Sequence, residues 1–283
     1  MKTKWKIIIA AIIIPIFITV SFFLYSRYIC PKNFKIKEYV IRNSKIPESF
    51  YGIKIVHISD IHYKSTTDYK DLKKIVSKIN LTKPDIVIIT GDIFDSNIKY
   101  NEKDYENIKK ILKSINYNIS KYAIKGEEDL NISKWEEIIN DSNFINLNDN
   151  YDYIYNESID PILIVGVSSN YKKNHILKTI QDIYKETTTE YKYSILILHE
   201  PDCIDDLTNL KFNLALAGHS HGGEIKLPFI NGIIRDKYSK KYNDNYYRIE
   251  NTNLFISSGI GTDKYKMRFR NTPSINLYRL RNK

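Results

Sequence analysis

The chain has 283 residues but only two cysteines, ten glycines and eight prolines. Two cysteines, Cys30 and Cys203, cannot form a disulfide framework. Cys30 follows a long apolar segment and reads as an idle juxtamembrane thiol rather than an acylation site. There is no Gly/Ser/Pro-rich linker and no internal repeat, so the polar part suits one sizeable α/β domain or two small ones. No DNA or RNA motif is present and basic residues are scattered, so nucleic acid is not an expected partner. No serine or cysteine nucleophile motif stands out either.

Composition is that of a folded protein, 42% hydrophobic and 27% charged. The net charge is +10, from 43 Lys and Arg against 33 Asp and Glu. That balance describes a lysine-rich surface, and it also favours phosphorylated compounds and anionic lipid headgroups.

Ile7 to Tyr25 is almost wholly apolar. Nineteen such residues rise about 28 Å as a helix, enough to cross a typical hydrocarbon core. Pro15 is tolerable in a membrane helix. The segment ends Tyr25-Ser26-Arg27-Tyr28, which lacks the small residues of a signal-peptidase site. The expectation is an uncleaved single-pass anchor in the cell membrane, with the bilayer as a partner. Lys2, Lys4 and Lys6 precede it and Arg27, Lys32, Lys35 and Lys37 follow, so charge does not assign the side of the membrane. The reading is an anchor over 1–28, a juxtamembrane segment over 29–50 and a domain over 51–283.

Beyond the anchor, apolar periodicity alternates between periods of 2.0 and 3.6 residues. Strands are predicted at Lys37 to Ile41, Ile53 to Ser59, Asp85 to Thr90 and Tyr122 to Ile124. Helices are predicted at Asp71 to Ile79, Tyr105 to Ile115 and Ile176 to Tyr184, and one opens at Ser133 with capping-box spacing. Further strand-like runs are Phe144 to Leu147, Tyr151 to Tyr155, Pro161 to Val167, Ser194 to Leu198 and Phe212 to Ala217. The last four are Tyr246 to Glu250, Leu254 to Ser257, Met267 to Arg270 and Ile275 to Arg279. This is an α/β pattern with extra strands, consistent with two packed sheets flanked by helices.

Polar residues collect immediately after the buried strands. Asp60 and His62 follow one strand, Asp92 the next, and Gly126-Glu127-Glu128-Asp129 another. His199 ends a fourth, and Gly218-His219-Ser220-His221 a fifth. Loops at the carboxyl ends of strands in α/β proteins converge on one crevice. Each block alone is weak, because Gly-Asp turns and strand-end histidines are common. Four of six histidines at this one kind of location is not what chance placement predicts. A His/Asp set suits Zn, Mn or Fe rather than a thiolate-bound structural zinc, and there are ligands enough for two ions.

The ordered blocks Asp60-Ile61-His62, Gly91-Asp92, Gly126-Glu127-Glu128, His199 and Gly218-His219-Ser220-His221 resemble the calcineurin-like metallophosphoesterase family. The match runs roughly from Ile53 to Leu280. His199-Glu200-Pro201-Asp202, the Gly222-Gly223 pair and the stretch Gly259 to Pro273 make it most similar to bacterial membrane-associated members. Such relatives include enzymes that cleave the pyrophosphate of nucleotide-linked lipids.

The resemblance implies a four-layer metallophosphoesterase-like β-sandwich flanked by helices, and two divalent ions (Mn, Fe or Zn). It implies that Asp60, His62 and His221 hold the first metal, that His199 and His219 hold the second, and that Asp92 bridges them. The family pattern at the third block is Gly-Asn-His. Glu127 stands in place of the Asn and can still offer an oxygen to the second metal. Glu128 stands in place of the His near the scissile phosphate, and is the candidate catalytic residue if it acts as a protonated acid. The implied activity is hydrolysis of a phosphodiester or pyrophosphate, lipid-linked substrates included, by a metal-bound hydroxide. The alternative is a membrane protein that binds metal or phosphate and has lost catalysis through the change at Glu128.

Overall fold

The computed structural model describes residues 2–169, 173–207, 211–227, 232, 236–263 and 265–282. Helix α1 (Lys2–Leu24) has its apolar side chains largely exposed, Ile7 at 64% and Phe17 at 71%, and meets the rest of the chain at its C-terminal end. Among the described residues it is the one helix long and apolar enough to cross a membrane. It continues through a π-helical turn at Tyr25–Ile29 and a 3₁₀ turn at Cys30–Lys32.

Two six-stranded sheets follow. In the first, β1 (Lys35–Arg42) pairs in parallel with the last strand, β12 (Ser274–Arg281). Next come β2 (Lys54–Ile58), β3 (Ile86–Thr90), β4 (Ser120–Ile124) and β5 (Ile145–Asn146). The second sheet runs β10 (Tyr246–Ile249), β11 (Thr252–Ile256), β9 (Leu214–Ala217), β8 (Tyr193–Leu198), β7 (Ile162–Val167) and β6 (Asn150–Ile154). β1 comes from the stretch between α1 and residue 51, and it is an edge strand of the first sheet.

Strand alternation divides the core into three layers of side chains. Ile55, Ile86, Ile88 and Tyr122 point between the sheets to meet Ile164, Ile195, Ile197 and Leu216. Val56, Ile58, Val87 and Ile89 point the other way. There they meet α2 (Tyr69–Leu81), α3 (Glu102–Lys113) and α4 (Trp135–Asp141) through Leu72, Ile75, Ile108 and Trp135. Val165, Leu196 and Ala215 of the second sheet pack on α5 (Lys173–Glu186) through Ile176 and Ile180. The result is helix, sheet, sheet, helix. Burial on both faces is why the central strands read as unbroken apolar runs. Each fully buried Ile contributes about 1.5–3 kcal/mol by leaving water.

Two expectations are corrected. Ser133 does not cap α4: the helix begins at Trp135, after Lys134 and without a side-chain cap. Glu136, the residue that would close the box, pairs instead with Lys125 Nζ at 3.0 Å. Reciprocal capping boxes do occur at Asp68/Asp71 and Asn101/Asp104, which start α2 and α3. Met267 to Arg270 is not a strand. Its backbone makes only a single bridge, Phe269 to Ile225, and the Arg268 N–H donates to Ser26 O of the turn that follows α1 (2.9 Å).

Candidate metal centre

β2, β3 and β4 lie side by side in parallel, as do β8 and β9, so their carboxyl-terminal loops emerge at one end of the sandwich. The Gly91 φ of +95° bends the chain as it leaves β3. Its missing side chain also lets Gly126 and His199 approach: a Cβ there would lie 2.5 Å from Gly126 N and 2.7 Å from His199 Nδ1.

Two groups of buried ligands form. Asp60, His62 and His221 present donor atoms within 4.8 Å of one another, and Asp92, His199 and His219 do the same. His62 Nε2 and His221 Nε2 are 3.2 Å apart. Asp92 stands between the groups, with Oδ2 3.1 Å from His199 Nε2 and 3.9 Å from His62 Nε2. Five of these six residues, Asp60, His62, Asp92, His219 and His221, hold left-handed backbone with φ from 47° to 63°. That conformation costs a non-glycine residue about 1–3 kcal/mol, and such strain collects at functional sites.

The histidine tautomers follow from their partners. His199 Nδ1–H donates to Thr90 O at 2.7 Å, which turns Nε2 towards Asp92. His219 Nε2–H donates to Lys237 O at 2.7 Å, which leaves Nδ1 as the ligand atom. Asp60 Oδ1 accepts from the His219 N–H at 2.9 Å, while Oδ2 is buried with no hydrogen-bond partner among the described residues. An orphaned carboxylate oxygen, two facing imidazole nitrogens and no thiolate fit divalent ions of the Mn, Fe or Zn type.

The electrostatics agree. Burial alone would raise the Asp92 carboxyl, but His199, then His62 and His219, outweigh it and hold Asp92 well below the usual range. Burial would lower His199, but Asp92 lifts it well above its ordinary value. Without metal this pair is an ion pair, so a cation taking His199 Nε2 displaces a proton. Burial, His62 and Arg268 push His221 well below its ordinary value, so its ring is neutral and ready to ligate. Burial raises Asp60.

Above the ligands lies a cavity of about 280 Å³ lined by His62, Asp92, His219, His221 and the acidic groups Glu127, Glu128 and Asp263, among others. Glu127 is exposed on this wall and belongs to neither ligand group. The Glu128 N–H donates to Asp92 Oδ1 at 2.9 Å, and its Oε2 accepts from Ser96 N–H at 2.7 Å.

The chain belongs to the calcineurin-like phosphoesterase family. The family model matches residues 53–223. The metallophosphoesterase YkuE of Bacillus subtilis is 30% identical over 91% of this chain and 89% of its own length. The metallophosphoesterase Cj0846 of Campylobacter jejuni is 28% identical over 77% of this chain and 56% of its own. The UDP-2,3-diacylglucosamine pyrophosphatase LpxG of Chlamydia trachomatis is 25% identical over 84% of this chain and 87% of its own. The protein is therefore a metal-dependent phosphoric ester hydrolase with a helix-flanked sandwich fold.

The phosphoesterase site also uses residues to which the sequence assigned no role. Asp129 is fully buried and accepts from Phe94 N (3.0 Å), Gly126 N (3.1 Å) and Ile93 N (3.3 Å), tying the β3 and β4 loops together. Asp95 Oδ2 is 3.9 Å from His62 Nδ1, and Glu224 Oε1 is 3.5 Å from His221 Nδ1. Each carboxylate sits behind a candidate ligand histidine without a hydrogen bond to its Nδ1. Acidic residues within three positions of Asp92 and His221 were the available signal. The remaining histidine with a described side chain, His57, is a core residue bonded to Thr90 Oγ1 at 2.8 Å.

Proposed function

We propose that this phosphoesterase is anchored in the cell membrane by α1 and hydrolyses the pyrophosphate bond of a lipid-linked compound. Asp92 would serve both metal ions. The observation that carries the proposal is the position of Asp92 between two buried ligand groups beneath an open cavity. Two divalent cations bound there would supply a water of lowered pKa and charge neutralisation for in-line displacement.

The chain's own residues then divide the work. Asp60, His62 and His221 would hold one cation, and His199 and His219 the other, and Glu127 on the cavity wall would offer a further oxygen. Glu128 favours pyrophosphate over an alkyl diester. Its Oε2 is engaged as an acceptor by the Ser96 N–H at 2.7 Å, where the family's histidine would have a ring N–H to donate. A phosphate leaving group departs as a stable anion, whereas an alkoxide needs a proton. The exposed apolar surface of α1 and the LpxG likeness support a substrate held in the bilayer.

The test uses the full chain in detergent micelles, supplied with Mn, Fe or Zn. A lipid-linked nucleoside diphosphate should turn over faster than a dialkyl phosphodiester, and chelation should abolish both reactions. Equal rates would remove the pyrophosphate preference. Rates indifferent to metal would remove the two-metal reading. Carbonate extraction that releases the chain from membranes would remove the anchor.

A further inference from the structure

The exit of α1 is packed into the catalytic domain, not merely tethered to it. The Phe22 ring meets Phe269 edge-on at 4.7 Å, and Tyr25 flanks the same ring at 6.2 Å. Arg27 Nη1 donates to Lys266 O at 2.7 Å, and Ser26 O accepts from the Arg268 N–H at 2.9 Å. Ser26 and Cys30 are fully buried by this contact. All of these bonds fall on one loop, 265–271.

The other side of that loop touches the first ligand group. Arg268 is fully buried, a costly place for a cation unless its donors are satisfied. Its Nε donates to Gly261 O at 3.2 Å and its Nη1 to Asn271 O at 3.4 Å. Gly261 in turn donates its N–H to Asp60 O at 2.7 Å. Asn271 Nδ2 donates to His221 O at 2.6 Å. Around Gly259, at φ +70°, a Cβ would lie 3.1 Å from each of Arg268 Nη2, Asp60 Cβ and His221 Nδ1. The guanidinium therefore braces the backbones of two ligands of one group. The described contacts of Asp92 and His199 do not involve this loop.

We infer that Arg268 is a positioning residue through which the docked anchor holds the first metal-ligand group, Asp60, His62 and His221, in register. The membrane helix and this half of the centre form one mechanical unit. Freeing the helix from loop 265–271 loosens one metal while the other stays bound.

The experiment rests on the two-metal reading and separates its failure from that of the inference. Mn²⁺ is titrated into metal-stripped full-length chain in lipid nanodiscs, and the two affinities are read by calorimetry. Wild type should bind two equivalents. Arg268→Gln should weaken one site about tenfold or more, the scale of outer ligand-supporting contacts, and leave the other within twofold. Arg268→Lys should restore part of the loss, because it keeps the charge without the fork of donors. The pair Phe22→Ala/Arg27→Ala, which touches no ligand, should weaken the same site several-fold. If Arg268→Gln does not fold, this pair decides the matter alone. Unchanged affinities in the pair, or equal loss at both sites, overturn the coupling. A wild-type chain that binds no second Mn²⁺ overturns the two-metal reading itself.

Discussion

Replacing Gly91 with alanine should cost more than a glycine substitution normally does, and the geometry separates the two reasons. At φ +95° any L side chain is strained, by about 1–2 kcal/mol. The new Cβ would also lie 2.5 Å from Gly126 N, 2.6 Å from Gly126 Cα and 2.7 Å from His199 Nδ1. Two of these atoms are backbone in a packed region, and overpacking there costs roughly 1–3 kcal/mol. The total is about 2–5 kcal/mol. At roughly 2–4 °C per kcal/mol for a domain of this size, the melting temperature should fall by about 4–20 °C. Gly52→Ala is the control, since Gly52 has φ +89° but nothing within 4 Å of its virtual Cβ. It should show the backbone cost alone. The assay is thermal unfolding of metal-free chain in one detergent, paired with Mn²⁺ stoichiometry. Because the clash moves the ring that donates to Thr90 O, Gly91→Ala should also lose the ion held by His199. If Gly91→Ala melts with Gly52→Ala and keeps full metal occupancy, the close-approach argument is wrong.

Other outcomes follow from the same structure. Asp92→Asn should lose both ions together on metal analysis, whereas His62→Ala should mainly weaken one; full occupancy in Asp92→Asn would rule out a bridge. Glu128→His should raise turnover on alkyl phosphodiesters more than on nitrophenyl esters, by up to about 10²-fold from added acid catalysis. Loss of all activity in that variant would mean that Glu128 itself is a working group. Lys121 is buried, donates to Ser142 O at 2.8 Å, and is pushed down to about 8, first by burial and then by Lys113. The unfolded chain then binds the extra proton between about pH 8 and 10.5, so stability should rise with pH across that window. The gain is on the order of 3 kcal/mol, and it should be missing from the urea midpoints of Lys121→Met.

Much of the fold was legible because burial on both faces leaves a plain trace. Ile86 to Ile89 and Ile195 to Leu198 could hardly be anything but central strands. The candidate ligand blocks stood out for a related reason: they sit where such runs stop. Other features had no such trace. The Met267 to Arg270 stretch looks alternating, but its course is set by contacts with Ser26 and Gly261, hundreds of residues or a loop away. The capping box expected at Ser133 lost to a tertiary pair between Glu136 and Lys125. Asp129 and Glu224 are ordinary acidic residues in sequence, and only the backbone N–H groups that the fold brings to them give them work. Glu127 is a different case: its motif position suggests a ligand, and its exposed side chain lies on the cavity wall outside both buried groups.

The order of the first sheet has a consequence in time. β12 lies between β1 and β2, pairing with β1 along Lys35 to Arg42 and with β2 from Lys54 to His57. A ribosome extends a chain at ~5–20 residues per second, so β1 and β2 wait tens of seconds for their shared neighbour. Throughout that interval α1 can already sit in the bilayer, while Asp60 and His62 hang from a strand with an open flank. The nascent chain therefore carries no finished hydrolase until its last strand has emerged. Completion of the sheet acts as a clock, and the centre matures only after Ser274 to Arg281 has slid into the gap.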